Sequence, residues 1–166
     1  LSLEAYRLLY FEKNSLFDVE VIVATTHTIN VDKFMQWALE FDRDGSTASV
    51  INDGEIKTTL NGYVALLAPE VRNRGLIVAQ MGTVVMASWE QIILNFSNNN
   101  HLSSITASST TIDALIENKK AVKAYGGTII RSAKAMNQLV SGIINKEGHL
   151  DAGSDAFEVV KIGGRI

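Results

Sequence analysis

From Val50 onward the chain repeats itself, and a short repeat restricts the fold more than any other property of a sequence. The first copy places Asn52, Gly54, Ile56, Thr58, Gly62, Val64 and Leu66 among residues that are mostly polar or variable. The same order returns as Asn73, Gly75, Ile77, Ala79, Gly82, Val84 and Met86, shifted by 21 residues in the first half and 20 in the second. A third copy reads Asn118, Lys120, Val122, Ala124, Gly127, Ile129 and Arg131. A fourth begins Asn145, Gly148, Leu150 and Ala152, with Gly164 to Ile166 as its second half.

Each unit is a short segment with an apolar residue at every second position, then a Gly, then a second such segment. That is the period of a strand, and Val, Ile and Thr with Gly at the breaks is the vocabulary of strands and turns. A repeat of about 20 residues with strands and no intervening helix predicts an all-β, parallel β-solenoid, each coil laid against the last. Alternation then turns Val64 and Leu66 inward above Val84 and Met86, and like residues form columns. The recurring Gly54, Gly62, Gly75, Gly82, Gly127 and Gly148 are expected at corners that need positive φ or a close backbone approach. Asn52, Asn73, Asn118 and Asn145 are expected at one corner, in left-handed geometry and with amides bonded from coil to coil. These ten residues are read as architectural.

Composition narrows the function classes. A formal charge of -3 gives no reason to expect nucleic acid or an anionic membrane as partner. No run of about 18 apolar residues is present to span a bilayer as a helix. Cysteine is absent, which removes disulfides, cysteine nucleophiles and cysteine metal sites. The chain opens Leu1-Ser2-Leu3-Glu4 without a basic-then-apolar leader, so residues 1–166 are read as a single β-helix fragment, cut at both ends, of a longer precursor.

Two stretches leave the repeat. Residues 97–117 begin with polar turn formers, and Thr110 and Asp113 cap a brief helix expected over Thr110 to Lys119. Residues 30–44 carry Phe34, Trp37, Leu39 and Phe41 among charged residues, and these aromatics are expected to cover a solenoid face, a ligand site being the alternative. Residues 133–142 suit a turn of helix or a corner.

Chemistry is sparse. A β-helical polysaccharide lyase or hydrolase needs acids clustered with a base; the candidate pairs are Asp18 with Glu20 and Asp42 with Asp44, and neither recurs beside a base at coil spacing. His27, His101 and His149 lack metal-ligand spacing, no nucleophile elbow is present, and Gly163-Gly164 lacks the nucleotide fingerprint. No catalytic residue, metal site or cofactor is expected.

The segment Gly62-Tyr63-Val64-Ala65-Leu66-Leu67-Ala68-Pro69-Glu70-Val71-Arg72-Asn73, with Ile77-Val78-Ala79-Gln80 and Leu94-Asn95-Phe96, resembles filamentous haemagglutinin-like exoproteins of two-partner secretion systems. So do Phe41 to Ile56, Ala114 to Lys119 and Val122-Lys123-Ala124, and the resemblance runs over nearly the whole chain. It implies a right-handed parallel β-helix, secreted to the surface of a Gram-negative bacterium through an outer-membrane β-barrel transporter of the Omp85 type. Family members act as adhesins, haemagglutinins, haemolysins or contact-dependent toxins, and some are virulence factors. A non-enzymatic adhesin with a host-cell or bacterial-surface receptor is the leading expectation; a haemolysin or toxin carrier is the second, and a carbohydrate-active β-helix enzyme the third.

Departures from the family pattern are specific. The Asn-Pro motifs of the transporter-recognised region are absent, Pro69 being the single proline. Glu12 and Glu20 stand where the family has corner glycines, Trp89 follows a strand where a small residue is usual, and Arg131 falls in the column of Leu66 and Met86.

Overall fold

A computed structural model describes residues 2–4, 8–108, 115–134, 144–146, 149–151 and 157–163. Its strands are β1 (Ser2–Glu4), β2 (Leu8–Phe11), β3 (Leu16–Thr25), β4 (Thr28–Ile29), β5 (Leu39–Asp42), β6 (Ser49–Asn52), β7 (Glu55–Leu67), β8 (Glu70–Asn73) and β9 (Leu76–Ala79). They continue as β10 (Thr83–Ser88), β11 (Gln91–Phe96), β12 (Leu102–Ser108), β13 (Leu115–Asn118), β14 (Ala121–Lys123), β15 (Thr128–Lys134), β16 (Ile144–Lys146), β17 (His149–Asp151) and β18 (Phe157–Gly163). The single helix among the described residues is α1 (Val31–Phe34), and it is far too short to cross a membrane.

The chain is nearly all β, and most of its strands pair in parallel. Each pass of the chain visits the same stations in turn: β6, the first half of β7, its second half, then β8, β9, β10, then β13, β14, β15. In the first station Val50 lies beside Val71, and Val71 beside Ile116. In the second, Ile56 lies beside Ile77 and Ile77 beside Val122. In the third, Val64, Val84 and Ile129 are neighbours, as are Leu66, Met86 and Arg131. All the aliphatic members of these columns are fully buried, at about 1.5 to 3 kcal/mol each. Arg131 is 5% exposed, so its guanidinium does lie within the column that the repeat assigned to it.

An earlier pass precedes the first recognisable repeat. β2 pairs with β6, and β3 pairs with β7 along both halves, interrupted where residues 59–62 of β7 bulge out opposite Glu20. Here Phe11 stands beside Asn52 and packs edge-on against Phe17 at 4.9 Å, filling the end of the core with aromatic volume.

Apart from the four residues of α1, the excursions contribute strands. β12 folds back antiparallel on β11, β11 pairs antiparallel with β5, and β5 with β4, giving a four-stranded sheet of a different kind. That sheet lies on the outer face of the third station. Phe41, Ile92, Leu94, Leu102 and Ile105 meet Val23, Ala65, Leu67, Val85, Ala87 and Ile130 in a second core. Every residue of β10 is therefore buried, on both faces.

Three expectations change. The helix proposed for Thr110 to Lys119 gives way over residues 115–118 to β13, because Ile116 gains full burial beside Val71 as a strand; residues 110–114 lie outside the described residues. Of the aromatics at 30–44, Phe41 covers a face of the parallel strands, whereas Phe34 and Trp37 are 52% and 96% exposed. In the fourth copy Leu150 stands beside Val122, but Asn145 stands beside Glu117 and Lys146 beside Asn118, so Asn145 is one step out of register with the other asparagines. The region 135–142, Gly148, Ala152 and Gly164 to Ile166 lie outside the described residues.

Candidate functional site

Asn52, Asn73 and Asn118 end β6, β8 and β13 at matching positions and have no solvent exposure. Nδ2 of Asn52 donates to Oδ1 of Asn73 at 2.8 Å, and Nδ2 of Asn73 to Oδ1 of Asn118 at 2.7 Å. The column is closed at one end by the Gly54 amide, which donates to Oδ1 of Asn52 at 3.1 Å, and at the other by the Lys120 carbonyl, which accepts from Asn118 at 3.0 Å. A buried amide needs partners for both its oxygen and its nitrogen, and this ladder gives each of the three one accepted and one donated bond within the chain. None of the three residues has positive φ, which corrects the left-handed geometry expected of them. Their amides, and not their backbone tolerance, account for them.

The glycines form two columns of their own. A Cβ on Gly75 would fall onto the carbonyl oxygen of Gly54, one on Gly82 onto that of Gly62, and one on Gly127 onto that of Gly82. A Cβ on Gly62 would in turn meet the carbonyl of Glu20, and one on Gly54 would lie 2.7 Å from that of Glu12. Close approach of successive passes is thus what these positions require. In the Gly62, Gly82 and Gly127 column the left-handed residues are the predecessors, Asn61 (φ 64), Met81 (φ 52) and Gly126 (φ 69). The Asn61 amide donates to the Gln80 carbonyl at 3.0 Å and the Met81 amide to the Tyr125 carbonyl at 2.7 Å, tying each turn to the next.

Beside the asparagine column, Glu117 is nearly buried and surrounded by cations. Arg72 Nη1 lies 3.6 Å away, Arg74 Nε 3.9 Å and Lys119 Nζ 3.5 Å. Glu70 bonds Arg72 and raises its already high pKa, while Arg74 also approaches Asp53 at 3.9 Å. Tyr10 donates to Asp53 at 2.7 Å, which pushes the phenol pKa up. Charges are balanced across this face, as in a structural ion network rather than a ligand site.

At the seam between the parallel strands and the antiparallel sheet sits His27, 2% exposed. Its Nε2 lies 2.7 Å from the Trp89 carbonyl and donates to it, while Nδ1 is buried without a hydrogen-bond partner. Burial pushes its pKa below that of an ordinary imidazole. The Trp89 indole donates to Ser132 Oγ at 2.8 Å, so a large residue after β10 here bridges two passes. Ser88 donates to the Pro69 carbonyl at 2.6 Å, and Thr83 to the Leu102 carbonyl at 2.6 Å, pinning β12. Nothing in the spacing of the sequence marks His27, Ser88 or Thr83 for these tasks.

The candidate acids do not assemble into chemistry. Asp18 stands across from Lys57 on an exposed row, and Glu20 lies opposite the bulge in β7. Asp42 and Asp44 do share a cleft with Thr28, Ile29, Asn30, Arg43 and Glu90, but Arg43 is held by Glu90 at 2.8 Å and Asp42 accepts from Gln91 at 3.0 Å. His101 lies in the β11–β12 turn, away from the seam, and His149 lies in β17. Among the described residues no group of three or more His, Cys, Asp or Glu is placed to hold a metal ion.

No family model and no curated protein matches the chain. In three dimensions it is similar to the HMW1 secretion domain from Haemophilus influenzae, with a TM-score of 0.72 and 22% sequence identity over 95% of this chain. The chain spans 45% of the length of that structure. The resemblance to the secretion-domain region of filamentous haemagglutinin-like exoproteins is therefore met at the level of the fold, which this chain shares with a solved secretion domain.

Proposed function

We propose that residues 1–166 are one right-handed parallel β-helical unit of a longer two-partner secretion exoprotein, exported through an Omp85-type outer-membrane transporter and displayed on a Gram-negative surface as a non-enzymatic adhesin. The observation that carries the reading is the similarity to a secretion domain over 95% of the chain. The in-register passes support the helical winding, and the chain's 45% share of its structural neighbour supports its place in something longer. A fold built to stack similar coils also suits export without nucleotide hydrolysis, since each coil that closes outside buries apolar columns and opposes return.

The test is transporter dependence. The chain, given a periplasmic signal, is expressed in a Gram-negative host with and without the β-barrel transporter encoded beside its gene, and the medium is assayed. Appearance only with the transporter is the expected result; equal amounts without it overturn the export reading. Adhesion is read separately, by agglutination of cells with the full exoprotein. Lysis of those cells would favour the haemolysin reading, and degradation of polysaccharide would favour an enzyme.

A further inference from the structure

The turn between β4 and β5 breaks the pattern by which this chain hides its apolar residues. All seven residues 31–37, Val-Asp-Lys-Phe-Met-Gln-Trp, are exposed, and four of them are large and apolar: Val31 at 63%, Phe34 at 52%, Met35 at 74% and Trp37 at 96%. Val31, Phe34 and Met35 fall at i, i+3 and i+4, the spacing of one helix face, and that face meets solvent.

The knob is built and not frayed. Asn30 Oδ1 accepts from the Lys33 amide at 3.1 Å at its start. At its end the Trp37 amide donates to the Phe34 carbonyl and the Ala38 amide to the Lys33 carbonyl, both at 2.9 Å. This closing motif places Trp37 at φ 62, where glycine is the usual occupant. A tryptophan there adds strain and removes no apolar surface from water, so neither stability nor backbone geometry accounts for it.

We propose that this knob inserts into the headgroup layer of a zwitterionic phospholipid surface. A small protrusion, apolar on several sides, suits a fluid interface better than the flat patch of roughly 800 Å² per partner that a stable protein interface needs. Indole, phenyl and thioether side chains are the groups that settle at that depth. Charge selects the lipid. Asp32 and Lys33 cancel within the knob, while residues 40–44, on β5 and just after it, carry Glu40, Asp42 and Asp44 against one cation, Arg43, which Glu90 holds at 2.8 Å. These acids repel anionic lipid and complement the outward-facing amines of choline or ethanolamine headgroups, which an exposed indole also attracts.

The experiment uses the purified chain with vesicles of phosphatidylcholine alone and of phosphatidylcholine with phosphatidylglycerol, read by flotation and by the blue shift of tryptophan emission. Binding to phosphatidylcholine, weakened by added phosphatidylglycerol at low salt, is expected. Trp37→Gly should cut binding at least tenfold while leaving the thermal midpoint unchanged or raised, and Leu60→Ser, at another exposed apolar residue, should leave binding intact. No flotation, flotation that needs the anionic lipid, or undiminished flotation of Trp37→Gly each overturns the proposal. A chain that ignores vesicles yet is exported poorly as Trp37→Gly assigns the knob to a protein partner instead.

Discussion

The side chains of Asn52 and Asn73, 21 positions apart, share a hydrogen bond of 2.8 Å in a region with no solvent access. Asn73 is the middle member of the ladder, giving a donor to Asn118 while accepting from Asn52. Asn73→Ala leaves an amide donor and a carbonyl acceptor buried without partners, at about 1 to 3 kcal/mol each. Urea unfolding should show a loss of about 2 to 6 kcal/mol at constant slope. A loss below about 0.5 kcal/mol, the size of an ordinary surface substitution, contradicts the ladder's role.

Gly82 and Gly45 make a matched pair. A methyl group on Gly82 meets the carbonyl of Gly62, while one on Gly45 meets nothing within 4 Å and suffers only from φ +74. Gly45→Ala should therefore cost about 1 kcal/mol, and Gly82→Ala several times more, because two passes must separate to admit it. Gly82→Asp or Val84→Asp should in addition lower the amount of full-length protein exported; unchanged export would count against coil closure as the driving step.

Acid should weaken the seam through His27. Its folded pKa lies below 6.5 because burial disfavours the imidazolium, with Glu90 raising it and Arg43 lowering it by smaller amounts. The unfolded chain then takes up a proton that the folded one resists. Stability is highest above the unfolded pKa, falls as pH drops through about 6.5, and levels off only below the folded pKa. Thermal midpoints should decline between about pH 7 and pH 5, and His27→Gln should flatten that decline. An identical slope in the variant would assign the effect to other groups.

Met81 holds φ 52 while 52% exposed, at the place where the next pass has Gly126 at φ 69. Met81→Gly relieves a left-handed side chain without emptying the core and should raise stability by about 0.5 to 1 kcal/mol, measured by denaturant midpoint. Lower stability would show that the Met81 side chain packs usefully against Gly126, whose Cβ position lies 3.4 Å from its Cγ.

The inward columns were legible because alternation and a fixed shift both pointed to them: Val64 over Val84 follows from counting. The second core was not. Val84-Val85-Met86-Ala87 is continuously apolar, the mark of a strand covered on both faces, yet the cover comes from β11 and β12, whose Leu102-Ser103-Ser104-Ile105-Thr106-Ala107-Ser108 alternates poorly. The first pass was hidden for the opposite reason. Phe11 takes the place of Asn52, and Ser15 with Glu12 crowds the site of Gly54, so the residues that announce later passes are missing from it. Asn145 misled because one asparagine in four falls a step away from its column, which spacing cannot detect across a 28-residue return.

The antiparallel sheet also imposes a timetable. Its strand β5 is made about 50 residues before β11, the strand it pairs with, and β11 is followed by β12 across a tight turn. A polypeptide emerging amino end first must therefore leave Phe41 without its β11 neighbours until the β6 to β10 passes have been laid down. Only then do Ile92 and Leu94 arrive to sweep it shut over Val85 and Ala87. The sheet acts as a clasp that can fasten only after the stack beneath it is in place.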